Sequence, residues 1–197
     1  MRALFYSQSW STIVFWVAFA IWAIPEFVGA FTQYARGSAS RRDRGSYIVV
    51  ILGILVGIYL AFFLASAVPG ATLGGGWQVI FGVGIALALL GVALRWYAIW
   101  VLGRYFTRDV AVQPGQQVVQ SGPYRFIRHP SYSGTLLAML GLGLAFTNWA
   151  SLVALVACTF ATHMYRVLVE EQALREALGQ PYVDYMRHTR RFIPFLF

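Results

Sequence analysis

Five stretches of this chain are long and apolar enough, or nearly so, to cross a lipid bilayer, and this limits its fold more than any other feature. A spanning helix needs about 20 mainly apolar residues. Such runs extend from about Trp10 to Phe31, from Tyr47 to Val68 and from Trp77 to Gly103. Two shorter runs, Tyr132 to Phe146 and Ala150 to Tyr165, are separated only by Thr147-Asn148-Trp149 and read as a tight helical hairpin over 132–165. Hydrophobic residues make up 59% of the 197 positions and charged residues 11%, against about 45–50% and about 25% in a soluble domain. A soluble chain of this size could not hide that much apolar surface in one core. The expected fold class is therefore an all-α integral membrane protein with about five transmembrane helices. The first run is too long, too rich in Trp and too marked by Pro25-Glu26 for a cleaved signal peptide. The single Cys158 excludes a disulfide scaffold.

The charge pattern supplies an orientation. Fifteen basic residues, all arginine, stand against seven acidic ones, for a net charge of +8. Such a surplus suits nucleic acid, a membrane surface or an anionic substrate. The absence of lysine fits either bidentate anion binding or the codon bias of a GC-rich prokaryote. Arg36, Arg41, Arg42 and Arg44 lie between the first two runs, and Arg104, Arg108, Arg125 and Arg128 follow the third. Arg166, Arg175, Arg187, Arg190 and Arg191 lie in the tail, while the turns Pro69–Gly76 and Thr147–Trp149 carry no charge. The positive-inside rule then puts the N-terminus outside and the C-terminus in the cytoplasm, as in a multi-pass protein of a prokaryotic inner membrane. The arginines are read as topology signals, and no nucleic-acid partner is expected. The chain divides into membrane helices over 1–103 and a polar-bearing region over 104–197.

Polar density outside the apolar runs falls in two strings, GPYRFIRHPSYSG (122–134) and RVLVEEQALREALGQPYVDY (166–185). Gly122-Pro123 sets a turn that brings Tyr124 and Arg125 close to the backbone. His129, preceding Pro130, is biased away from helical geometry. Ser131 then reads as the N-cap of the fourth helix, whose N-terminus favours a carboxylate, and Gly134 permits a close approach by a helix or a cofactor. The competing reading of this string is an amphipathic linker lying on anionic lipid. Arg166 and Glu170 share a helix face at i,i+4, as do Glu171 and Arg175; the second pair reads as an ordinary surface ion pair. From His163 the chain is expected to continue the fifth span as a helix and to break near Gly179-Gln180-Pro181. Glu26 and Arg95 fall inside apolar runs, where they either pair at similar depth or each snorkel to the interface. Gly74-Gly75-Gly76 joins two apolar helices and is no dinucleotide fingerprint. His129, His163 and His188 lack ligand spacing, so no metal is expected.

With these strings the chain, from roughly Leu102 to its C-terminus, resembles the isoprenylcysteine carboxyl methyltransferase family and its phospholipid-methyltransferase relatives. The resemblance implies a membrane-embedded enzyme using S-adenosylmethionine. It places Tyr124, His129, Pro130, Ser131 and Tyr132 in the cofactor pocket together with Gln116, Gln117, Val118 and Val119, and departs from the family's frequent His at Gln116. A family amide aligns with Asp109. Glu170 takes a cofactor-binding role, Arg166 a substrate-orienting one, and Arg128 that of a helper. The implied reaction is methyl transfer to a lipophilic acceptor, with the lipid entering sideways between helices. A carboxylate acceptor needs no base and gives Arg166 a purpose; a lipid amine would need Glu170 or Glu171 as base, and a thiol is a further alternative. Two other classes stand beside it. Membrane sterol and isoprenoid reductases carry a related C-terminal region and bind NADPH, but are longer; a non-catalytic lipid-binding protein needs no cofactor.

Overall fold

A computed structural model of the chain describes residues 8–33, 40–41, 43 and 45–193. Six α-helices follow one another: α1 (Ser9–Thr32), α2 (Ser46–Ala67), α3 (Trp77–Leu102), α4 (Pro130–Ala145), α5 (Trp149–Leu178) and α6 (Gln180–His188). Two-residue strands β1 (Ser40–Arg41) and β2 (Ala111–Val112) pair antiparallel beside them. Of the arginines that set the orientation, Arg36, Arg42 and Arg44 lie outside the described residues.

Among the described residues four helices, α1, α2, α3 and α5, are long and apolar enough to cross a membrane, and the protein is an integral membrane protein. The fourth apolar run is also helical, but at 16 residues α4 is shorter than the roughly 20 that a crossing requires. The fifth is longer than its hydropathy indicates: α5 has 30 residues, about 45 Å of helix against a hydrocarbon core of about 30 Å. It stops at Gly179, whose φ of 62° ends the helix. The excess length carries Arg166, Glu170 and Glu171 to the polar end of the bundle.

Apolar side chains gain nothing by leaving lipid for one another, so close backbone approach and buried hydrogen bonds hold such a bundle together. Between α3 and α4 the approach is made by glycine. A Cβ on Gly91 would lie 2.3 Å from the Ala138 nitrogen, and one on Gly134 would lie 2.6 Å from the Arg95 nitrogen. Two turns further along, Gly84 and Gly141 meet Ala145 and Ala88 in the same way. The room expected at Gly134 is thus taken by helix α3. At the far end, Asn148 caps α5 by accepting from the Ser151 N–H (3.0 Å) and donates to the Val68 carbonyl (3.1 Å). This ties the α4–α5 turn to the end of α2. α2 packs on α5, and α1 on α3, while α1 and α2 meet through Phe15 and Trp16 against Phe62 and leave a gap from Phe19 and Ile58 toward the polar end. The separation between those two helices positions the site.

Candidate active site

A cleft opens where the α3–α4 loop, the first turn of α4, the C-terminal half of α5 and helix α6 converge. Gln116, Gln117, Val118, Val119, Tyr124, Arg128, His129, Ser131, Tyr132, Arg166 and Glu170 all line it. Of the residues that the family resemblance assigns to the cofactor pocket or to the acceptor, Pro130 alone is not in the lining, being fully buried at the first position of α4. The helix cap differs from expectation. His129, not Ser131, is the N-cap, because its φ of −123° and ψ of 56° are the non-helical geometry that the following proline demands. Ser131 lies in the first turn, with its carbonyl accepting from Arg95 Nη1 (3.3 Å), and no side chain caps the helix. Sequence reasoning did not select Tyr105, Phe106, Leu174, Tyr182 or Tyr185, which also line the cleft, as does Asp109. Tyr182 and Tyr185 were detectable as an i,i+3 pair just beyond Pro181.

Burial raises the pKa of the Tyr124, Tyr182 and Tyr185 hydroxyls, helped at Tyr124 by the nearby Glu170 and at Tyr182 by Glu170 and Glu171. These three therefore stay neutral and do not act as phenolate bases. Tyr185 uses its proton to hold the Tyr124 carbonyl at 2.7 Å. Among the described residues no group of three His, Cys, Asp or Glu side chains comes together as a metal site would need.

A second cavity of about 420 Å³ occupies the gap between α1 and α2. Its walls are apolar, from Phe19, Trp22, Ile51, Ile54, Leu55 and Ile58, and its polar end holds Glu26, Arg95, Arg108, His163 and Arg166. Phe27 and Leu55, 68% and 57% exposed, stand at its rim on the bundle's outer surface. Phe106, Thr107, Tyr132 and Arg166 border both this cavity and the cleft, forming the partition between them.

The partition is a hydrogen-bonded chain. Arg166 Nε donates to the Tyr132 hydroxyl at 2.8 Å, and that hydroxyl donates to Glu170 Oε2 at 2.5 Å. Arg166 Nη1 reaches Asp43 Oδ1 at 2.7 Å and Ser46 Oγ at 3.0 Å, and Nη2 donates to the Arg108 carbonyl. Asp43 carries no sequence signal of its own, being one acidic residue in an arginine-rich loop. Burial works against its charge, but the Ser46 hydroxyl, the Tyr47 and Val110 N–H groups and the Arg166 guanidinium outweigh that and lower its pKa.

A depressed folded-state pKa means stability that is present above the ordinary aspartate value of about 3.9 and lost as pH falls through the lower folded value. Between about pH 4 and pH 2, the thermal midpoint of the parent protein in detergent should therefore drop more steeply than that of Asp43→Asn. Parallel curves would contradict the assigned role of Asp43.

Glu26 and Arg95 pair across the bundle. Arg95 Nη2 and Nε donate to the two carboxylate oxygens, and Arg108 Nη1 joins at 2.9 Å. The Arg108 guanidinium lies against Gly29, where a Cβ would come within 2.2 Å of it. Three guanidiniums, Arg95, Arg108 and Arg166, thus line the polar end of the cavity with Glu26, and Asp43 pairs with Arg166 from outside the lining.

The expected surface pair of Glu171 and Arg175 is not what forms. Glu171 is fully buried and accepts from Arg128 Nε at 2.9 Å and Arg191 Nη2 at 3.0 Å, with His129 Nε2 at 3.4 Å. Arg175 Nε donates instead to the Glu171 backbone carbonyl at 3.4 Å. The i,i+4 spacing fails here because α6 and the tail cover this face of α5, so that partners distant in sequence reach the carboxylate first. Arg128 also donates to the Met186 and Thr189 carbonyls. The tail backbone runs beside the loop, with Arg128 N–H to Arg190 O at 2.7 Å and His129 N–H to Arg191 O at 3.1 Å. Arg128 therefore anchors the tail at the margin of the cleft.

The phospholipid methyltransferase family model matches residues 79–181. The chain is 31% identical over 119 residues to protein-S-isoprenylcysteine O-methyltransferase B of Arabidopsis thaliana, covering 59% of this chain and 60% of that protein. It is 30% identical over 122 residues to a probable protein-S-isoprenylcysteine O-methyltransferase of Oryza sativa subsp. indica, covering 61% and 63%. Among solved structures it is similar to a eukaryotic intramembrane Ras methyltransferase, an isoprenylcysteine carboxyl methyltransferase, with a TM-score of 0.59 and 26% identity over 91% of this chain and 60% of that one. The matches thus span about three fifths of each relative's length.

Proposed function

The chain belongs to the phospholipid methyltransferase family, and from that premise we propose that it transfers a methyl group from S-adenosylmethionine to a lipophilic carboxylate of the isoprenylcysteine kind. The observation that carries this reading is the shared partition: a polar cleft and an apolar cavity open to the outer surface meet at Tyr132 and Arg166. A water-soluble donor and a membrane-dissolved acceptor need such an arrangement, since each is poorly soluble in the other's compartment. We take the cleft to face the cytoplasm of a prokaryotic inner membrane, as the arginine distribution indicates. Residues 104–197 then form the cofactor-binding region, while 1–103 contributes Asp43, which holds Arg166, and Glu26 at the polar end of the cavity.

The cleft residues suit the cofactor. Glu170 supplies a carboxylate for a cationic group, and Asp109 lies along the same wall. The uncapped N-terminus of α4 suits a carboxylate. Tyr105, Phe106 and Tyr182 offer aromatic faces. When bound, S-adenosylmethionine supplies an electrophilic methyl group on a positively charged sulfonium. The protein's work is then to align, desolvate and balance charge. Arg166, fixed by Asp43, Ser46 and Arg108, presents a rigid positive field at the partition, where an acceptor carboxylate would be oriented. That carboxylate is ionised at neutral pH and needs no base. The guanidinium surplus at the polar end of the cavity favours an anionic acceptor.

A lipid amine is the second reading, carried by the Tyr132–Glu170 hydrogen bond, which could take up the proton such an acceptor releases. Comparing S-alkylcysteine with alkylamine acceptors separates the two.

Calorimetry on detergent-purified protein tests the cofactor assignment. S-adenosylmethionine should bind, and Glu170→Ala should weaken it by about 10-fold or more, the effect of losing one charge-assisted contact. Absence of binding would overturn the proposal, and tighter binding of NADPH would point to a reductase.

A further inference from the structure

We infer that the cavity between α1 and α2 is a chain-length gauge, closed by an aromatic floor that admits about twelve main-chain carbons of the acceptor. This rests on the methyltransferase reading for the identity of the occupant, but the gauge is built from residues that the reaction does not use. The cavity follows α2 from Tyr47 to Ile58 and α1 from Ala30 to Phe19. Each wall is twelve residues of helix, whose eleven steps span about 16 Å at 1.5 Å per residue. An extended hydrocarbon advances about 1.3 Å per carbon, the projection of a tetrahedral bond of about 1.5 Å, so the two walls run alongside about twelve carbons.

The floor is definite. Phe19 and Ile58 are the lining residues farthest from Arg166 along their helices. Beyond them the space is filled. Phe19 stacks on Phe15 with ring centroids 6.3 Å apart, and Phe15 meets Phe62 at 6.2 Å and Phe146 at 5.2 Å. Phe62 meets Phe146 at 4.8 Å. Phe15 is fully buried, and Ile58 and Phe62 pack against the same core. Chain ends pushed past Phe19 must therefore displace a packed cluster or turn out between the helices into lipid.

At the other end, the polar group of the occupant meets Glu26, Arg95, Arg108 and Arg166. The occupant is the acceptor of the proposed reaction, a single-chain amphiphile with an anionic head that the guanidiniums at this end complement.

The test measures the affinity of the full-length protein in detergent for a series of N-acetyl-S-(n-alkyl)cysteines, from about six to about twenty carbons, alongside methyl transfer. Each methylene inside the cavity should tighten binding about fourfold, the equivalent of about 0.8 kcal/mol, until a break near twelve carbons. Beyond the break affinity should stay flat or fall. Phe19→Ala should move the break to longer chains by about three carbons, and Ile58→Phe should move it to shorter ones, the spacing set by the ~1.3 Å advance per carbon. The second variant keeps the test open should the first fail to fold, since it adds bulk without opening the aromatic cluster. Affinity that rises smoothly through the whole series, or a break unmoved in folded variants of the floor, overturns the gauge. A break that moves as stated, without methyl transfer to any member, upholds the gauge and overturns the catalytic proposal.

Discussion

Arg166→Ala should lower kcat/KM for a lipophilic carboxylate by at least about 100-fold, equivalent to about 2.7 kcal/mol of transition-state stabilisation. The guanidinium has four acceptors within the protein: the Tyr132 hydroxyl, the Asp43 carboxylate, the Ser46 hydroxyl and the Arg108 carbonyl. It is held in one orientation before any substrate arrives, the condition under which a charge acts most strongly on a reaction. Arg166→Lys should recover little, because an ammonium is a point charge that cannot span acceptors arranged around a planar fork.

Removing Arg166 also strips Asp43 of its cationic partner, so some loss could come from destabilisation rather than chemistry. The double variant Asp43→Asn/Arg166→Ala separates the two. With neither charge left uncompensated, its thermal midpoint should return toward that of the parent protein, while transfer stays at the low level of Arg166→Ala. Activity that returns along with stability would make Arg166 a structural residue only. Unchanged transfer in the single variant would contradict its role outright.

The membrane helices and the cleft-lining residues differ from the ion pairs in how far local pattern reaches. Hydropathy placed the first three helices to within a residue or two, Trp10–Phe31 against Ser9–Thr32 and Tyr47–Val68 against Ser46–Ala67, because lipid exposure demands an uninterrupted apolar run. The same logic stopped short on α5. Its last three turns lie beyond any apolar window; that the helix continues past the fifth run and breaks near Gly179-Gln180-Pro181 is read from the break signal instead, and α5 does end at Leu178. Tyr124 and His129 to Tyr132 were legible only through the family resemblance that the string 122–134 carries, and Gln116 to Val119, which lie before that string, came with the same resemblance; all but Pro130 line the cleft. Asp43 and Arg108 were not, since their partners lie 123 and 82 residues away in sequence. Spacing alone paired Glu171 with Arg175, whereas tertiary structure gave Glu171 to Arg128 and Arg191.

Gly91→Val is the substitution expected to damage the fold most. Its first added carbon would lie 2.3 Å from the Ala138 nitrogen and 2.6 Å from the Gly134 oxygen, both backbone atoms in a facing helix. Neither can rotate aside as a side chain can, so α3 and α4 must separate. In lipid no hydrophobic penalty drives them back together, and the lost contact is close dispersion packing along two turns of both helices. A cost of about 3 kcal/mol, the upper range for overpacking, is expected as a lowered thermal midpoint in detergent.

Gly82 on the same helix supplies the control. Nothing lies within 4 Å of a Cβ there, so Gly82→Val should leave the midpoint nearly unchanged. The damage should also reach the site. Separating the helices draws Arg95 away from the Ser131 carbonyl and from Glu26, its partners on α4 and α1, and so disturbs the cleft and the cavity together. Cofactor affinity and acceptor affinity should therefore fall in parallel in Gly91→Val and in neither case in Gly82→Val. Equal stability of the two variants would show that the α3–α4 contact is not what holds the cleft and the cavity in register.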